Sequence, residues 1–179
     1  MLSGSNVDDL PGLLVPLIRE IQDFPEPGVL FRDLAPVFAD AVAFRAVVDA
    51  LVAPVHQVEV VVGVEARGFL LGAAAAYAVG AGAVGIRKPG KLPVVCDREV
   101  YTMEYGDAAL ELADGTLRPG QRVLVVDDVL ATGGTVAAAC ALVERAGAAV
   151  SGIAVLLEIA ALRGRGRLRG RSLHALLTI

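Results

Sequence analysis

Apolar residues recur at helical spacing through residues 10–21, where Leu13, Leu14, Leu17, Ile18 and Ile21 share one face despite Pro11 and Pro16, and this predicts a first helix. Pro25, Pro27 and Gly28 then break the pattern and impose an extended, turning segment. A second helix is expected over residues 43–52. The run at 58–64 differs in kind, being continuously apolar and β-branched, which marks a strand buried on both faces. Residues 68–79 read as an alanine-rich helix and 83–87 as the next strand. Residues 89–100 are polar and proline-bearing and have no period, so a loop is expected there, of a length that in compact domains commonly serves as a mobile lid. Short strands are expected near 101–105 and 109–112, a turn at Asp114-Gly115, a buried strand at 122–126, a helix at 135–146 closing at Gly147, and strands at 150–157 and 174–179. Strand and helix alternate, which predicts one α/β domain with a mainly parallel sheet flanked by helices on both faces.

Composition narrows the function classes. The 179 residues are 55% hydrophobic and 20% charged, enough for one sizeable core but not comfortably for two. Aromatics are only 4%, which suits closely packed helices on a sheet better than an aromatic-rich sandwich. A net charge of -4 leaves no basic footprint for nucleic acid, so an anionic ligand must be met locally. Cys96 and Cys140 are isolated thiols, and His56 and His174 lack partners at metal spacing, so neither a zinc site nor a disulfide framework is expected. There is no basic-then-apolar leader and no run of about 18 apolar residues, so a cytoplasmic, membrane-free protein is expected.

The segment that carries chemistry is Val123-Leu124-Val125-Val126-Asp127-Asp128-Val129-Leu130-Ala131-Thr132-Gly133-Gly134-Thr135, an apolar strand leading through two acids into a small-residue turn and a helix. Asp127 and Asp128 offer adjacent oxygen acceptors suited to a vicinal sugar diol or a hydrated magnesium ion. Ala131, Thr132, Gly133, Gly134 and Thr135 offer backbone N–H groups, two hydroxyls and a helix N-terminus to one phosphate. No lysine follows the glycines, and the acids would repel a polyphosphate at that point, so a Walker A loop is excluded. One monophosphate beside a sugar diol fits.

In order and composition, this segment resembles the phosphoribosyl pyrophosphate (PRPP) signature of type I phosphoribosyltransferases. The resemblance implies a central, mainly parallel five-stranded sheet, a small N-terminal hood over about residues 1–35 and a flexible catalytic loop over about 89–101. Five further segments resemble the adenine phosphoribosyltransferase family. Asp23-Phe24-Pro25-Glu26-Pro27-Gly28-Val29-Leu30-Phe31-Arg32-Asp33 resembles its hood, which implies that Leu30, Phe31 and Arg32 bind adenine. Gly63-Val64-Glu65-Ala66-Arg67-Gly68-Phe69 resembles its pyrophosphate loop, with Arg67 as a forked cation for the diphosphate and Glu65-Ala66 where the family commonly has Asp-Ser. Ile86-Arg87-Lys88-Pro89-Gly90-Lys91-Leu92-Pro93 resembles the opening of the catalytic loop, with Arg87, Lys88 and Lys91 for pyrophosphate. Tyr101-Thr102-Met103-Glu104-Tyr105-Gly106 resembles its far end, which makes Glu104 the general acid/base at the purine. Glu158-Ile159 matches a position where an aliphatic side chain covers the base, so Ile159 is expected opposite Phe31.

The implied reaction is displacement of pyrophosphate from PRPP by adenine to give AMP, with Mg²⁺ held mainly by PRPP oxygens and water. The family also implies a homodimer. Two alternatives remain open: a phosphoribosyltransferase for another base, or a PRPP-binding regulatory protein without turnover. Such regulators usually add a DNA-binding module, for which no room is expected before residue 23. Arg163, Arg165, Arg167, Arg169 and Arg171 lie in a turn without interleaved aromatics, so a solvated loop is expected there and no nucleic-acid partner.

Overall fold

The computed structural model describes residues 9–103 and 106–179. Its contacts divide the chain into two compact units, 1–50 and 51–179. In the first, α1 (Leu10–Leu14) begins at Asp9, whose Oδ1 accepts the Gly12 N–H at 2.9 Å. The helical face expected through residue 21 stops early. Residues Val15–Leu17 form a single 3-10 turn, and the chain is extended from Ile18 into β1 (Arg19–Gln22). Pro16 removes a helical N–H, and antiparallel pairing with β2 (Leu30–Asp33), in the register Ile21 opposite Phe31, captures the next residues as strand. Between the strands Gly28 takes a positive φ of 88° and donates its N–H to Asp23 Oδ1, and the Phe24–Pro25 peptide is cis. Two helices follow, α2 (Ala35–Ala39) and α3 (Ala41–Val52). The carboxylate of Asp40 accepts the N–H groups of Val42 and Ala43, which sets the start of α3 two residues before the apolar periodicity.

The second unit is built on one sheet. Its elements are β3 (Val60–Val64), α4 (Gly68–Val79), β4 (Gly82–Ile86), β5 (Val95–Met103), β6 (Gly106–Ala113), β7 (Arg122–Leu130), α5 (Gly134–Arg145), β8 (Ala149–Glu158) and β9 (Leu173–Thr178). Five of the strands form a parallel sheet in the order β4-β3-β7-β8-β9, as the alternation of strand and helix predicts. Alternate residues explain why these strands read as unbroken apolar runs. Val62, Val64, Val123, Val125, Ile153 and Val155 join one core cluster with Leu142 and Val143 of α5, while Val61, Leu124 and Ala154 are equally buried. α4 packs on β3, β4 and β7. Among the described residues no helix is long and apolar enough to cross a membrane.

Two elements of the second unit differ from expectation. The second half of the segment expected as a loop at 89–100 is strand: β5 pairs antiparallel with β6, with a bulge between Val95 and Asp97. Its pattern is inverted. Asp97 and Glu99 point to α5, where Arg145 bonds both carboxylates, while Val100 stays 58% exposed. A strand whose charged face is the docked face gives no apolar alternation to read. Likewise β7 runs on through Asp127 and Asp128 to Leu130 instead of ending at Val126, because pairing with β8 continues to Leu130 opposite Glu158.

Candidate active site

Parallel strands present their carboxyl ends at one edge, and the motif segments of the second unit collect there. β3 and β7 are neighbours, with Gly63 opposite Val126, so the turn after β3 meets the acid pair of β7. These two strands flank the point where the strand order reverses, since the chain leaves β3 for β4 on one side and returns to β7 on the other. In open α/β sheets such a point opens the ligand crevice.

Arg67 lies just ahead of α4, and its Nε is 2.7 Å from Asp128 Oδ2. The contact is electrostatic: Oδ2 is buried, and among the described residues no donor is aligned to hydrogen-bond it. Asp127 and Asp128 are both only 7% exposed. Asp127 Oδ1 accepts the Asp128 N–H at 2.9 Å, and a Cβ on Gly68 would meet the same oxygen at 2.9 Å, so only glycine lets α4 start this close. Burial, and then the neighbouring Asp128 charge, push the Asp127 carboxyl well above the usual carboxylate range, against the pull of Arg67.

Such a raised carboxyl works against the folded state. Between its ordinary value and its folded value, the native protein holds a proton that the unfolded chain releases, so stability falls as pH rises through that window and stays lowered above it. Asp127→Asn keeps the acceptor for the Asp128 N–H and removes the charge. It is expected to raise the Tm of the ligand-free protein at neutral pH by a few degrees, with little gain near pH 4, and to weaken PRPP binding at the same time. Thermal melts at the two pH values, with calorimetric titration of PRPP, measure both; an unchanged Tm at neutral pH would sink the account.

The turn after β4 joins from the other side. Glu65 N–H donates to Ile86 O, and Glu65 Oε2 accepts the Lys88 N–H at 2.9 Å and the Arg87 Nε–H at 3.3 Å. Partial burial opposes ionisation of Glu65, but the Lys88 amide and the Arg87 guanidinium outweigh it and hold the carboxyl below its ordinary value. The Glu65–Ala66 peptide is cis. Glu111 of β6 anchors the same segment: its backbone exchanges two bonds with Arg87, and its buried carboxylate accepts the Gly90 N–H at 3.1 Å. Lys88 and Lys91 are exposed, and among the described residues neither ammonium forms an ion pair.

On the far side of β7, Ala131, Thr132, Gly133 and Thr135 line a small cavity of about 50 Å³ together with Val129, Leu130 and Val136. Gly133 has a positive φ of 81°, and α5 starts at Gly134. The expected solvated arginine turn is tied to this loop. A Cβ on Gly164 would lie 2.2 Å from Ala131 O and 2.9 Å from Gly133 N, so the turn's backbone supports the loop's backbone. Arg165 holds the buried Glu158 with Nε at 3.0 Å, and Arg171 holds Glu144 of α5. Neither contact was legible from residue spacing. Ile159, at the end of β8, donates its N–H to Leu130 O at 2.9 Å, which sets it beside the phosphate loop.

Within the first unit, Leu30, Phe31 and Arg32 lie on β2. Phe31 packs edge-to-face on Phe24 with ring centres 5.0 Å apart, and Arg32 pairs with Glu20. Glu104 and Tyr105 lie outside the described residues. Cys140 is buried in α5 and its thiol is pushed up to about 12 by that burial, so it is inert.

A family model described as the phosphoribosyl transferase domain matches residues 39–171. A curated relative from Saccharopolyspora erythraea, an adenine phosphoribosyltransferase, is 63% identical over 162 residues, covering 90% of this chain and 88% of its own. The crystal structure of the adenine phosphoribosyltransferase from Rhodothermus marinus superposes with a TM-score of 0.92 at 43% identity, covering 97% of this chain and all of its own. The Saccharomyces cerevisiae adenine phosphoribosyltransferase, solved with an imino-altritol bisphosphate and adenine, gives a TM-score of 0.88 at 35% identity over 94% of this chain and 99% of its own.

Proposed function

The chain belongs to the adenine phosphoribosyltransferase family, and from that premise we propose how its own residues carry adenine and PRPP to AMP and pyrophosphate in purine salvage. The observation that carries the reading is the meeting of Arg67, the Asp127–Asp128 pair and the Ala131–Thr135 turn at one sheet edge. Ala131, Thr132, Gly133, Gly134 and Thr135 hold the 5′-phosphate through N–H groups, hydroxyls and the α5 N-terminus. Asp127 and Asp128 accept the ribose 2′- and 3′-hydroxyls. The Oδ2 of Asp128, for which no donor is aligned among the described residues, suits that task, because a diol supplies an O–H.

Arg67 then lies where the diphosphate leaves C1′, and Lys88 and Lys91, unpaired among the described residues, add mobile cations. Their charge favours the departing pyrophosphate more than the ground state, and this lowers the barrier. Among the described residues no three His, Cys, Asp or Glu stand close enough to hold a metal. The acid pair nevertheless fits a cation that arrives on PRPP oxygens and water. Bound in this way, Mg²⁺ would spread the negative charge of the diphosphate.

For the base, Leu30, Phe31 and Arg32 bind adenine through ring stacking and the rigid backbone, and Ile159 supplies an apolar contact. Glu104 exchanges a proton with N7 as N9 bonds to C1′. A homodimer in the cytoplasm completes the proposal, supported by family membership.

Turnover with PRPP and Mg²⁺ is expected with adenine, and not with guanine, hypoxanthine, xanthine or orotate. Chromatographic detection of AMP tests it. Turnover with another base and none with adenine would overturn the specificity, and PRPP binding without any turnover would favour the regulatory alternative.

A further inference from the structure

Thr135 of the phosphate loop has a neighbour whose approach the motifs did not announce. Its Oγ1 lies 3.2 Å from the phenol oxygen of Tyr101, on β5 of the hairpin. The Tyr101 ring packs against the core cluster that includes Val136 and Ala139 of α5, so the hydroxyl is delivered by a fixed ring and not by a floating side chain. At the root of the same strand, Arg145 of α5 grips Asp97, Glu99 and the Arg98 carbonyl. The hairpin therefore meets the helix of the phosphate loop at two places, one charged and distant from the loop, the other a neutral hydroxyl pair within it.

The separation is long for O–H···O, where 2.7–2.8 Å is usual, so the pair is close enough to bond yet loosely held. Either hydroxyl can donate in this pair, and Thr135 has a single proton to give. A phosphate dianion is acceptor-only, so to serve one Thr135 must turn that proton toward it. Its lone pairs are then free to accept, and the Tyr101 O–H can rotate to donate to them. That arrangement keeps both hydroxyls satisfied and polarises Thr135 toward the anion.

We propose that Tyr101 is a positioning residue for the 5′-phosphate, donating to Thr135 when the phosphate is bound and so linking occupancy of that loop to the hairpin that leads to Glu104. The inference rests on the assignment of residues 131–135 as the 5′-phosphate site, and its test is arranged so that the two fail differently. PRPP and AMP carry that phosphate; adenine and pyrophosphate do not.

Steady-state kinetics in both directions on Tyr101→Phe, Thr135→Val and the double variant supply the test. The phenylalanine keeps the packed ring and removes only the hydroxyl. Tyr101→Phe is expected to raise KM for PRPP and for AMP roughly three- to tenfold, the scale of one lost hydrogen bond. KM for adenine and for pyrophosphate is expected to stay within about twofold, and the double variant to be little worse than Thr135→Val alone. A Tyr101→Phe effect shared by all four substrates marks a general support of the hairpin and overturns the proposal, as do independent effects that multiply in the double variant. Thr135→Val raising both phosphate-bearing KM values while Tyr101→Phe leaves them unchanged overturns the role of Tyr101 alone. Unchanged KM values for PRPP and AMP in Thr135→Val overturn the phosphate-site assignment itself, and the inference with it.

Discussion

Glu104→Gln is expected to lower kcat for AMP formation by roughly 10²- to 10⁴-fold, the range of a lost general acid/base. The amide keeps the shape of the side chain but cannot exchange a proton with the imidazole ring of the purine. KM for PRPP should change little, because the ribose and phosphate contacts assigned here come from β7, the turn after it and Arg67. Parallel measurement of turnover and of PRPP binding by calorimetry separates the two effects. A loss smaller than about tenfold would move the proton transfer to another group or to solvent.

The second large effect comes from a residue remote in sequence from the phosphate loop it supports. Gly164→Ala places a methyl 2.2 Å from Ala131 O and 2.9 Å from Gly133 N, and both are backbone atoms that cannot swing aside. The phosphate loop has to shift, and a displacement of about 1 Å at a reacting site costs on the order of 10²-fold. We therefore expect kcat/KM for PRPP to fall about a hundredfold, with a Tm lowered by several degrees. Gly166→Ala is the control two residues on, where a Cβ meets nothing within 4 Å, and both activity and Tm should stay near those of the parent. Equal behaviour of the two variants would show that the contact between turn and loop is not what holds the site.

The parts of the fold legible in sequence were those where local pattern and burial agree. The strands read at 58–64, 122–126 and 150–157 correspond to β3, β7 and β8, and a strand covered on both faces announces itself without reference to its neighbours. The helix at 68–79 was read to the residue, bounded by a cramped Gly68 and a left-handed Gly80. Reading failed where a neighbour overrode local preference. Residues 19–21 fall within a helical apolar period but pair with β2, and 95–100 have no period at all yet dock Asp97 and Glu99 on Arg145. The first partner lies across a turn, and the second stands 46 and 48 positions away.

The candidate site divides along the same line. By itself the sequence determined the chemistry on offer: an acid pair, a Thr-Gly-Gly-Thr turn, and a cation after each of two strands, because the donors and acceptors that meet a phosphate and a diol are properties of residue type in a short segment. Only the tertiary structure decided that Arg67 faces Asp128, that Glu65 ties the Lys88 turn to β3, that Gly164 supports the phosphate loop and that Tyr101 reaches Thr135. These are contacts across about 20 to 60 positions of chain, created when parallel strands bring their carboxyl ends to one edge, and no local pattern encodes which distant residue will stand on the other side.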